Sequence, residues 1–355
     1  MTPLLVFIHL PGDVAVLGPI AAAARARGAP FRIALPESFW DRSRPAQALC
    51  AWLGVTPKLL PDAGPAASWA DTLRPCDTLL TGTESTLKPH RAAHELTRAL
   101  QSLGARAFTL QHGLENIGVS YFDAIQGPEV RFAADRVLIW GDVRRLPLAA
   151  PSENVAKMQT VGRGTYGDLD RPPSPPWPEA APASFDVVVF ENLHWHRYDE
   201  VYRTAFLRDV QALAASRPDL SVAIKPHPQG RWLTQRFKGE RPAASNLFIA
   251  DPADPVWADI DAERFIARSR LVLTTPSTTA LDAAQAAKPT AVFAYGLDLP
   301  LYAPLPLLNS GDVEAFVQDA LDDPTHALQL TRRFVADTLA PGDAAARILD
   351  IVSAA

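Results

Sequence analysis

The sequence has little cysteine and no surplus of positive charge, and both shortages exclude classes of protein. Its 355 residues include two cysteines, Cys50 and Cys76, whose spacing matches no metal-binding or redox motif. The two cysteines therefore suit a reducing compartment and are interpreted as buried small residues. The net charge is −5 at pH 7. Because nucleic-acid binding needs a basic surface, we expect no nucleic-acid partner.

Long hydrophobic runs and an N-terminal targeting signal are also missing. The first apolar run, residues 4–10, is too short to cross a bilayer and is typical of a buried strand. The sequence also contains no strongly basic amphipathic helix. These features predict a cytoplasmic protein, and they leave open a peripheral association with the inner face of the inner membrane.

Apolar runs alternate with helical patterns along most of the chain, which predicts an α/β fold with parallel sheets. A proline-dense stretch interrupts this alternation and is interpreted as a linker. The predicted organisation is two Rossmann-like domains that face a central cleft, the expected ligand site. The boundaries are residues 1–165 for the N-terminal acceptor-side domain, 166–183 for the linker and 184–355 for the C-terminal nucleotide-donor domain.

Two motifs in the second half each follow an apolar run. Prolines on both sides of His227 fix the backbone direction where one predicted strand, residues 221–224, ends. A run of hydroxyl residues follows another strand, residues 271–274, and begins a helix. Ligands of open α/β sheets bind outside the carboxyl ends of strands, and hydroxyls with helix N–H groups suit phosphate. The predicted phosphate-binding residues are Lys225, His227, Pro228, Ser277, Thr278 and Thr279.

The motif Gln111-His112-Gly113 ends a predicted strand of the first half. Gly113 permits a close approach of substrate, and Gln111 is a candidate for substrate binding. A histidine can remove a proton from an attacking hydroxyl near neutral pH, which makes His112 a candidate catalytic base. Glu115 is the alternative base.

A polar loop follows the first strand of the second half, at residues 191–199. Histidines at positions i and i+2 in this loop could bind a metal ion, but the sequence offers no clear third ligand, and we predict no metal and no cofactor. The loop is instead interpreted as part of the substrate site. Its candidate residues are Glu191, Asn192, His194, His196 and Arg197.

These motifs, in this order, resemble those of GT-B glycosyltransferases that use CMP-activated sugars, including bacterial sialyl-, polysialyl- and Kdo-transferases. His227-Pro228 is similar to the HP motif of that family, and Ser277-Thr278-Thr279 is similar to its Ser/Thr motif. The chain is also similar to CDP-glycerol glycerophosphotransferases, which share a His-Gly motif and a Lys-Pro-His-Pro motif. Those enzymes carry a basic membrane-binding region that this acidic chain lacks, which favours a CMP-sugar donor.

The resemblance implies a metal-independent GT-B glycosyltransferase. Such an enzyme would move an acidic sugar, similar to Kdo or sialic acid, from CMP to a hydroxyl of a capsule or lipopolysaccharide glycan. Its partners would be the nucleotide-sugar donor and a glycan or lipid-linked glycan acceptor. Three alternatives stay open: a polyol-phosphate transferase of the CDP-glycerol kind, a non-catalytic nucleotide-binding accessory protein, and a nucleotide-sugar epimerase.

Overall fold

The structure is a computed structural model that describes residues 3–122, 130–145, 150–179, 181–228 and 230–354. The chain forms two compact units, Met1–Pro173 with Thr338–Ala355, and Ser174–Asp337. Each unit contains one sheet whose strands are all parallel, which confirms the predicted α/β class. In the described part of the chain, no helix is both long enough and apolar enough to cross a membrane.

The first unit contains a seven-stranded sheet. Its strands are β1 (Leu4–Phe7), β2 (Phe31–Pro36), β3 (Lys58–Leu60), β4 (Thr78–Thr81), β5 (Arg106–Leu110), β6 (Arg136–Ile139) and β7 (Met158–Thr160). Their order is β3-β2-β1-β4-β5-β6-β7. The helices are α1 (Pro11–Ala26), α2 (Glu37–Arg42), α3 (Arg44–Leu53), α4 (Trp69–Thr72), α5 (Arg91–Ser102) and α6 (Ser152–Lys157). Because β1, β4 and β5 are consecutive in this order, the loops that follow them leave the sheet side by side.

The second unit contains a six-stranded sheet. Its strands are β8 (Phe185–Glu191), β9 (Val222–Pro226), β10 (Leu247–Ile249), β11 (Ser269–Thr274), β12 (Thr290–Phe293) and β13 (Leu307–Leu308). Their order is β10-β9-β8-β11-β12-β13. The helices are α7 (Glu200–Ser216), α8 (Ala262–Ala267), α9 (Thr279–Gln285), α10 (Asp312–Asp322) and α11 (Thr325–Thr338). The loops after β9, β8 and β11 are therefore neighbours.

Strand β8 shows why these strands appear in the sequence as unbroken apolar runs. Val187 and Val189 contribute to one hydrophobic core, whereas Val188 and Phe190 contribute to another. Successive side chains of a strand point to opposite faces, so both faces of this sheet are covered. Burial on both faces leaves polar residues only at the strand ends, where Glu191 is the last residue of β8.

The last helix, α12 (Ala344–Ser353), belongs to the first unit, whereas the sequence assigned all of residues 184–355 to the second domain. Ile348 and Leu349 of α12 are buried in the same core as Leu17 and Ile20 of α1. The apolar face of α1 needs a partner, and the end of the chain supplies it. Sequence order alone does not reveal which sheet such a helix covers.

The predicted linker, residues 166–183, also divides between the units. Tyr166 and Leu169 pack on the core of the first unit. Trp177 packs on the second, with its ring centroid 5.0 Å from that of Phe265. The stretch is thus anchored at each end by aromatic or apolar side chains. The cleft expected between the two domains remains a prediction.

Candidate functional site

The loops after β8, β9 and β11 in the second unit are joined through their backbones. The His227 N–H donates to the backbone oxygen of Glu191 at 2.8 Å, which ties the loop after β9 to the end of β8. The Asn192 N–H donates to Thr275 Oγ1 at 3.0 Å, which ties the loop after β11 to the same strand. Polar residues that are distant in sequence therefore meet at one edge of the sheet.

Glu191 is a buried carboxyl group with few hydrogen bonds. Its side-chain Oε1 accepts from the Leu193 N–H at 2.5 Å, and within the described residues its Oε2 has no hydrogen-bond partner. Burial raises the pKa of Glu191 to about 7, against the weaker opposing effects of hydrogen bonds from the Leu193 and Leu233 backbones. The carboxyl is therefore largely protonated below pH 7.

His194 and His227 lie together, with their ring centroids 4.8 Å apart. Burial, reinforced by Arg236, lowers the pKa of His194 to about 4, and burial with His194 and Lys225 nearby does the same for His227. Both rings are neutral at pH 7. The Gly230 N–H lies 3.3 Å from His227 Nδ1. If Nδ1 accepts this bond, the proton of the neutral ring is on Nε2, which becomes a donor.

Lys225 is on β9, and its ammonium group packs on an aromatic ring. Its Nζ is 5.4 Å from the ring centroid of Phe265, and the residue is 5% exposed. Burial lowers the pKa of Lys225 to about 8, and Asp261 opposes that shift. The ammonium group packs on an aromatic face of the core, so direct contact with phosphate stays a prediction for this residue.

The hydroxyl residues after β11 use part of their hydrogen-bonding capacity on one another. Ser277 Oγ accepts from the Thr279 N–H at 3.3 Å and lies 3.2 Å from Thr279 Oγ1. Thr278 occupies the N-cap position of α9, but its side chain makes no capping hydrogen bond. Helix α9 is seven residues long, so its N-terminus adds less to anion binding than the sequence suggested.

The rest of the predicted loop forms a polar surface beside these groups. His196 is exposed and stacks on Trp195. The guanidinium of Arg197 lies 5.3 Å from the centroid of the Tyr198 ring. Pro228 accepts a hydrogen bond at its carbonyl from Arg231 Nε. In the described residues, no three histidine, cysteine or carboxylate side chains are placed to hold a metal ion.

In the first unit, the loop after β5 is held by the side chain that begins the predicted motif. Gln111 accepts from the Trp140 N–H at 2.9 Å and donates to the Gly113 carbonyl at 2.8 Å. The residue is 6% exposed. Gln111 therefore shapes this loop through its own polar atoms, although the sequence assigned it to substrate.

His112 projects from this loop into a group of histidines. Burial lowers the pKa of His112 to about 4, and its ring meets that of His90 edge-on at 5.3 Å. Burial, with His112 and His9 nearby, lowers the pKa of His90 to about 3. The alternative base, Glu115, is partly exposed on the same loop.

Two residues of this site, His9 and Asp13, were not found by sequence reasoning, which predicted only a loop after the first strand. His9 follows β1, and Asp13 lies in the first turn of α1. The His9 Nδ1 atom lies 2.8 Å from Asp13 Oδ2, and both side chains are buried. The available signal was Pro11, because proline is favoured at the first position of a helix.

Comparisons with known proteins give the fold. No protein-family model matches the chain, and no curated protein sequence is significantly similar to it. The chain is similar in structure to the UDP-GlcNAc 2-epimerase of Neisseria meningitidis bound to UDP-GlcNAc, with 11% identity, full coverage of both chains and a TM-score of 0.67.

Two further structures extend this likeness. S. aureus MnaA in complex with UDP is 13% identical over 99% of this chain and 96% of its own, with a TM-score of 0.66. The glycotransferase of kitacinnamycin is 12% identical over 99% of this chain and 98% of its own, with a TM-score of 0.59. The CMP donor that the sequence resemblance implied has no support among these structures. What they establish is that the chain has the α/β, two-domain GT-B fold that the sequence predicted.

Proposed function

We propose that this protein is an enzyme that acts on a uridine diphosphate sugar and epimerises the sugar. The observation that carries the proposal is the edge of the second sheet, where neutral imidazoles, hydroxyls and a carboxyl group that is largely protonated below pH 7 lie together. Such a surface presents hydrogen-bond donors without a fixed negative charge, which suits a phosphate group. The whole-length likeness to a UDP-GlcNAc 2-epimerase and to a protein solved with UDP favours uridine over cytidine.

The roles of the two units follow from their chemistry. We assign the phosphate groups to His227 and to the hydroxyls of Ser277 and Thr279 in the second unit. In the first unit, the histidines near the loops after β1 and β5, which are His9, His90 and His112, would exchange protons with the sugar. Epimerisation requires a proton to be removed from a carbon and a proton to be returned to its opposite face, so such groups are needed.

A second candidate is glycosyl transfer to a hydroxyl. It is favoured because the buried carboxylates of the first unit already bind groups of the protein and are not available as bases. Asp13 and Glu84 are buried beside the histidines, but each already binds internal groups. Histidine is then the remaining proton acceptor. Transfer needs a single base for the attacking hydroxyl, whereas epimerisation needs proton exchange on two faces of one carbon.

The test is a nucleotide screen followed by product analysis. We expect UDP to raise the melting temperature more than CMP, CDP or GDP does, because a ligand that binds only the folded state stabilises it. Incubation with UDP-GlcNAc alone, followed by proton NMR, should then give the C2 epimer. Release of UDP that depends on an added acceptor would identify a transferase instead. Selective stabilisation by CMP would overturn the uridine assignment.

A further inference from the structure

The buried pair formed by His9 and Asp13 makes more polar contacts than the end of a strand requires. Asp13 Oδ2 accepts from the His9 and Leu10 N–H groups, both at 2.9 Å, and lies 2.8 Å from His9 Nδ1. Asp13 Oδ1 accepts from Thr83 Oγ1 at 2.9 Å. Burial raises the pKa of Asp13, but the contacts with His9 and Leu10 outweigh it and lower the pKa overall. The carboxyl is therefore ionised although it is fully buried.

This carboxylate determines which nitrogen of His9 is available. With Nδ1 facing an anion, the proton of the neutral ring is on Nδ1 and the lone pair is on Nε2. The ring is also stacked on Phe7, with the centroids 5.3 Å apart. His9 is 9% exposed, and in the described part of the chain neither ring nitrogen makes a hydrogen bond of regular geometry: Nδ1 has the close contact with Asp13, and Nε2 has no polar partner. A buried acceptor of this kind costs stability unless a ligand uses it.

The neighbouring histidines are weaker candidates for taking a proton. His112 and His90 have pKa values lowered to about 4 and about 3, chiefly by burial. A base works best when its pKa is close to the working pH. Asp13 favours the imidazolium of both rings electrostatically, but in the described residues neither ring forms an ion pair with a carboxylate, whereas His9 Nδ1 lies 2.8 Å from Asp13 Oδ2.

We propose that His9, held by Asp13, is the catalytic proton acceptor of this protein, and that His112 is a neutral hydrogen-bonding group beside it. The assignment rests on the proposed function. The His9 Nε2 lone pair takes a proton from the substrate, while the electron pair of the broken bond stays with the substrate. Asp13 stabilises the imidazolium without itself being protonated. In epimerisation this proton passes to solvent and a proton from solvent is delivered to the opposite face of the carbon, whereas in a transfer the proton passes to solvent as the nucleotide leaves.

The same unit contains a matched control pair. His94 Nδ1 lies 2.5 Å from Glu84 Oε1, and the Glu84 side chain is fully buried. The carboxylate of Glu84 also accepts from the Ala133 and Ala134 N–H groups, at 2.7 Å and 3.4 Å. This pair connects α5 to the segment before β6. It is therefore a structural counterpart of the pair at His9, built from the same types of group.

The experiment compares three variants of the full chain, His9→Gln, Asp13→Asn and His94→Gln. Turnover of UDP-GlcNAc, affinity for UDP and melting temperature are measured for each. We expect His9→Gln to lower turnover by about a hundredfold or more, since a general base contributes about 10²–10⁴-fold. UDP affinity should stay within about twofold. Asp13→Asn should lower turnover similarly and alter the pH–rate profile, whereas His94→Gln should keep turnover within about twofold.

Nitrogen-15 NMR of labelled histidine tests the pair without using activity. We expect His9 of the wild-type chain at pH 7 to carry its proton on Nδ1, and Asp13→Asn to disturb that tautomer. A folded His9→Gln variant with turnover within about threefold of wild type would overturn the proposal. A wild-type tautomer protonated on Nε2 would overturn it too. If wild-type protein turns over no UDP sugar although Nδ1 is protonated, the proposed function has failed while the arrangement of the pair stands.

Discussion

The edges of the two sheets each contain a buried carboxyl group, and the two groups differ in charge. Asp13 in the first unit accepts three hydrogen bonds and touches an imidazole, and its pKa is lowered. Glu191 in the second unit accepts from Leu193, leaves Oε2 without a hydrogen-bond partner among the described residues, and has a pKa raised to about 7. Burial is similar at both sites, so the number of partners of the charged form decides the outcome.

This difference separates the chemistry of the two edges. A fixed anion beside His9 can stabilise an imidazolium, which suits proton transfer. A carboxyl group that is neutral below pH 7 does not repel phosphate and can donate a hydrogen bond. Under the proposed function, the same parallel-sheet architecture would carry a proton-transfer site in one unit and an anion-binding site in the other.

Substitution of Gly82 should disrupt the His9–Asp13 pair of the first unit, and we expect the largest loss of turnover from it. A Cβ atom at this position would lie 2.6 Å from Asp13 Oδ1 and 3.1 Å from Asp13 Cα. Gly82→Ala must therefore displace the carboxylate from His9. We expect turnover to fall by about a hundredfold, the size of a lost general base, with UDP affinity nearly unchanged.

Gly12→Ala is the matched control for this substitution. Gly12 precedes Asp13 in α1, and a Cβ there would meet no atom within 4 Å. Turnover should stay within about twofold, and the melting temperature should rise slightly because alanine favours helix. Equal losses in both variants would show that the contact with Asp13 is not the cause.

The sequence predicts most strands because they are buried on both faces. For β8 the predicted residues 185–190 and the observed Phe185–Glu191 differ by one residue. Strands β3, β7 and β13 were missed, because runs of two or three residues carry no readable period. Helix α12 was recognised as a helix, but its place in the first unit depends on tertiary packing with α1.

Strand-end positions are predictable where a residue directly follows an apolar run. His227 and His112 were placed in this way, and both lie just beyond strand ends, whereas their roles stay predictions. Asp13 was missed because Pro11-Gly12 was interpreted as a loop, whereas Pro11 begins α1. Pairing of His9 with a residue four positions later becomes visible only once the strand-to-helix turn is known. Charge states are not readable from sequence, because they depend on burial and on hydrogen-bond partners.

Glu191→Gln should remove the contribution of this carboxyl group to the pH dependence of the free energy of unfolding. The carboxyl has a usual pKa of 4.5 in the unfolded chain and about 7 in the folded one. Between these values the folded state binds more protons, so the free energy of unfolding falls as pH rises through this window. Glutamine does not ionise. We expect the variant to be about 2–3 kcal/mol more stable than wild type at pH 8 and nearly equal to it at pH 4.5.

Denaturant unfolding of both proteins across this pH range measures the difference. The lowered pKa values of His90, His112, His194 and His227 destabilise both proteins equally as pH falls below 6.5, and they cancel in the comparison. Glu240→Gln, at an exposed position, serves as the control and should show no such trend. A constant stability difference between wild type and Glu191→Gln across pH would contradict the assignment of a raised pKa.

His227→Ala should weaken nucleotide binding and turnover together, because the residue is assigned to phosphate. Loss of one hydrogen bond to a charged group predicts about a tenfold decrease in UDP affinity. Gly230→Ala should act in the same direction, since its Cβ would lie 2.1 Å from His194 Nδ1 and must displace that ring. Calorimetric titration with UDP checks both, with the exposed His326→Ala as control. Unchanged UDP affinity in both variants would remove these imidazoles from the phosphate site.

Removal of divalent metal should have the smallest effect. The two edges offer hydrogen-bond donors and an imidazole–carboxylate pair, and within the described residues no three metal-ligating side chains converge. His194 packs against Gly230 and His227, whereas His196 stacks on Trp195, so the two are engaged differently. We therefore expect dialysis against EDTA to leave turnover within about twofold, with added magnesium or manganese giving no further increase. Complete loss that magnesium restores would mean that a metal ion neutralises the diphosphate. In that case the pH at which Glu191 ionises should also be the pH at which metal binding strengthens, because an ionised carboxylate there would be available as a ligand.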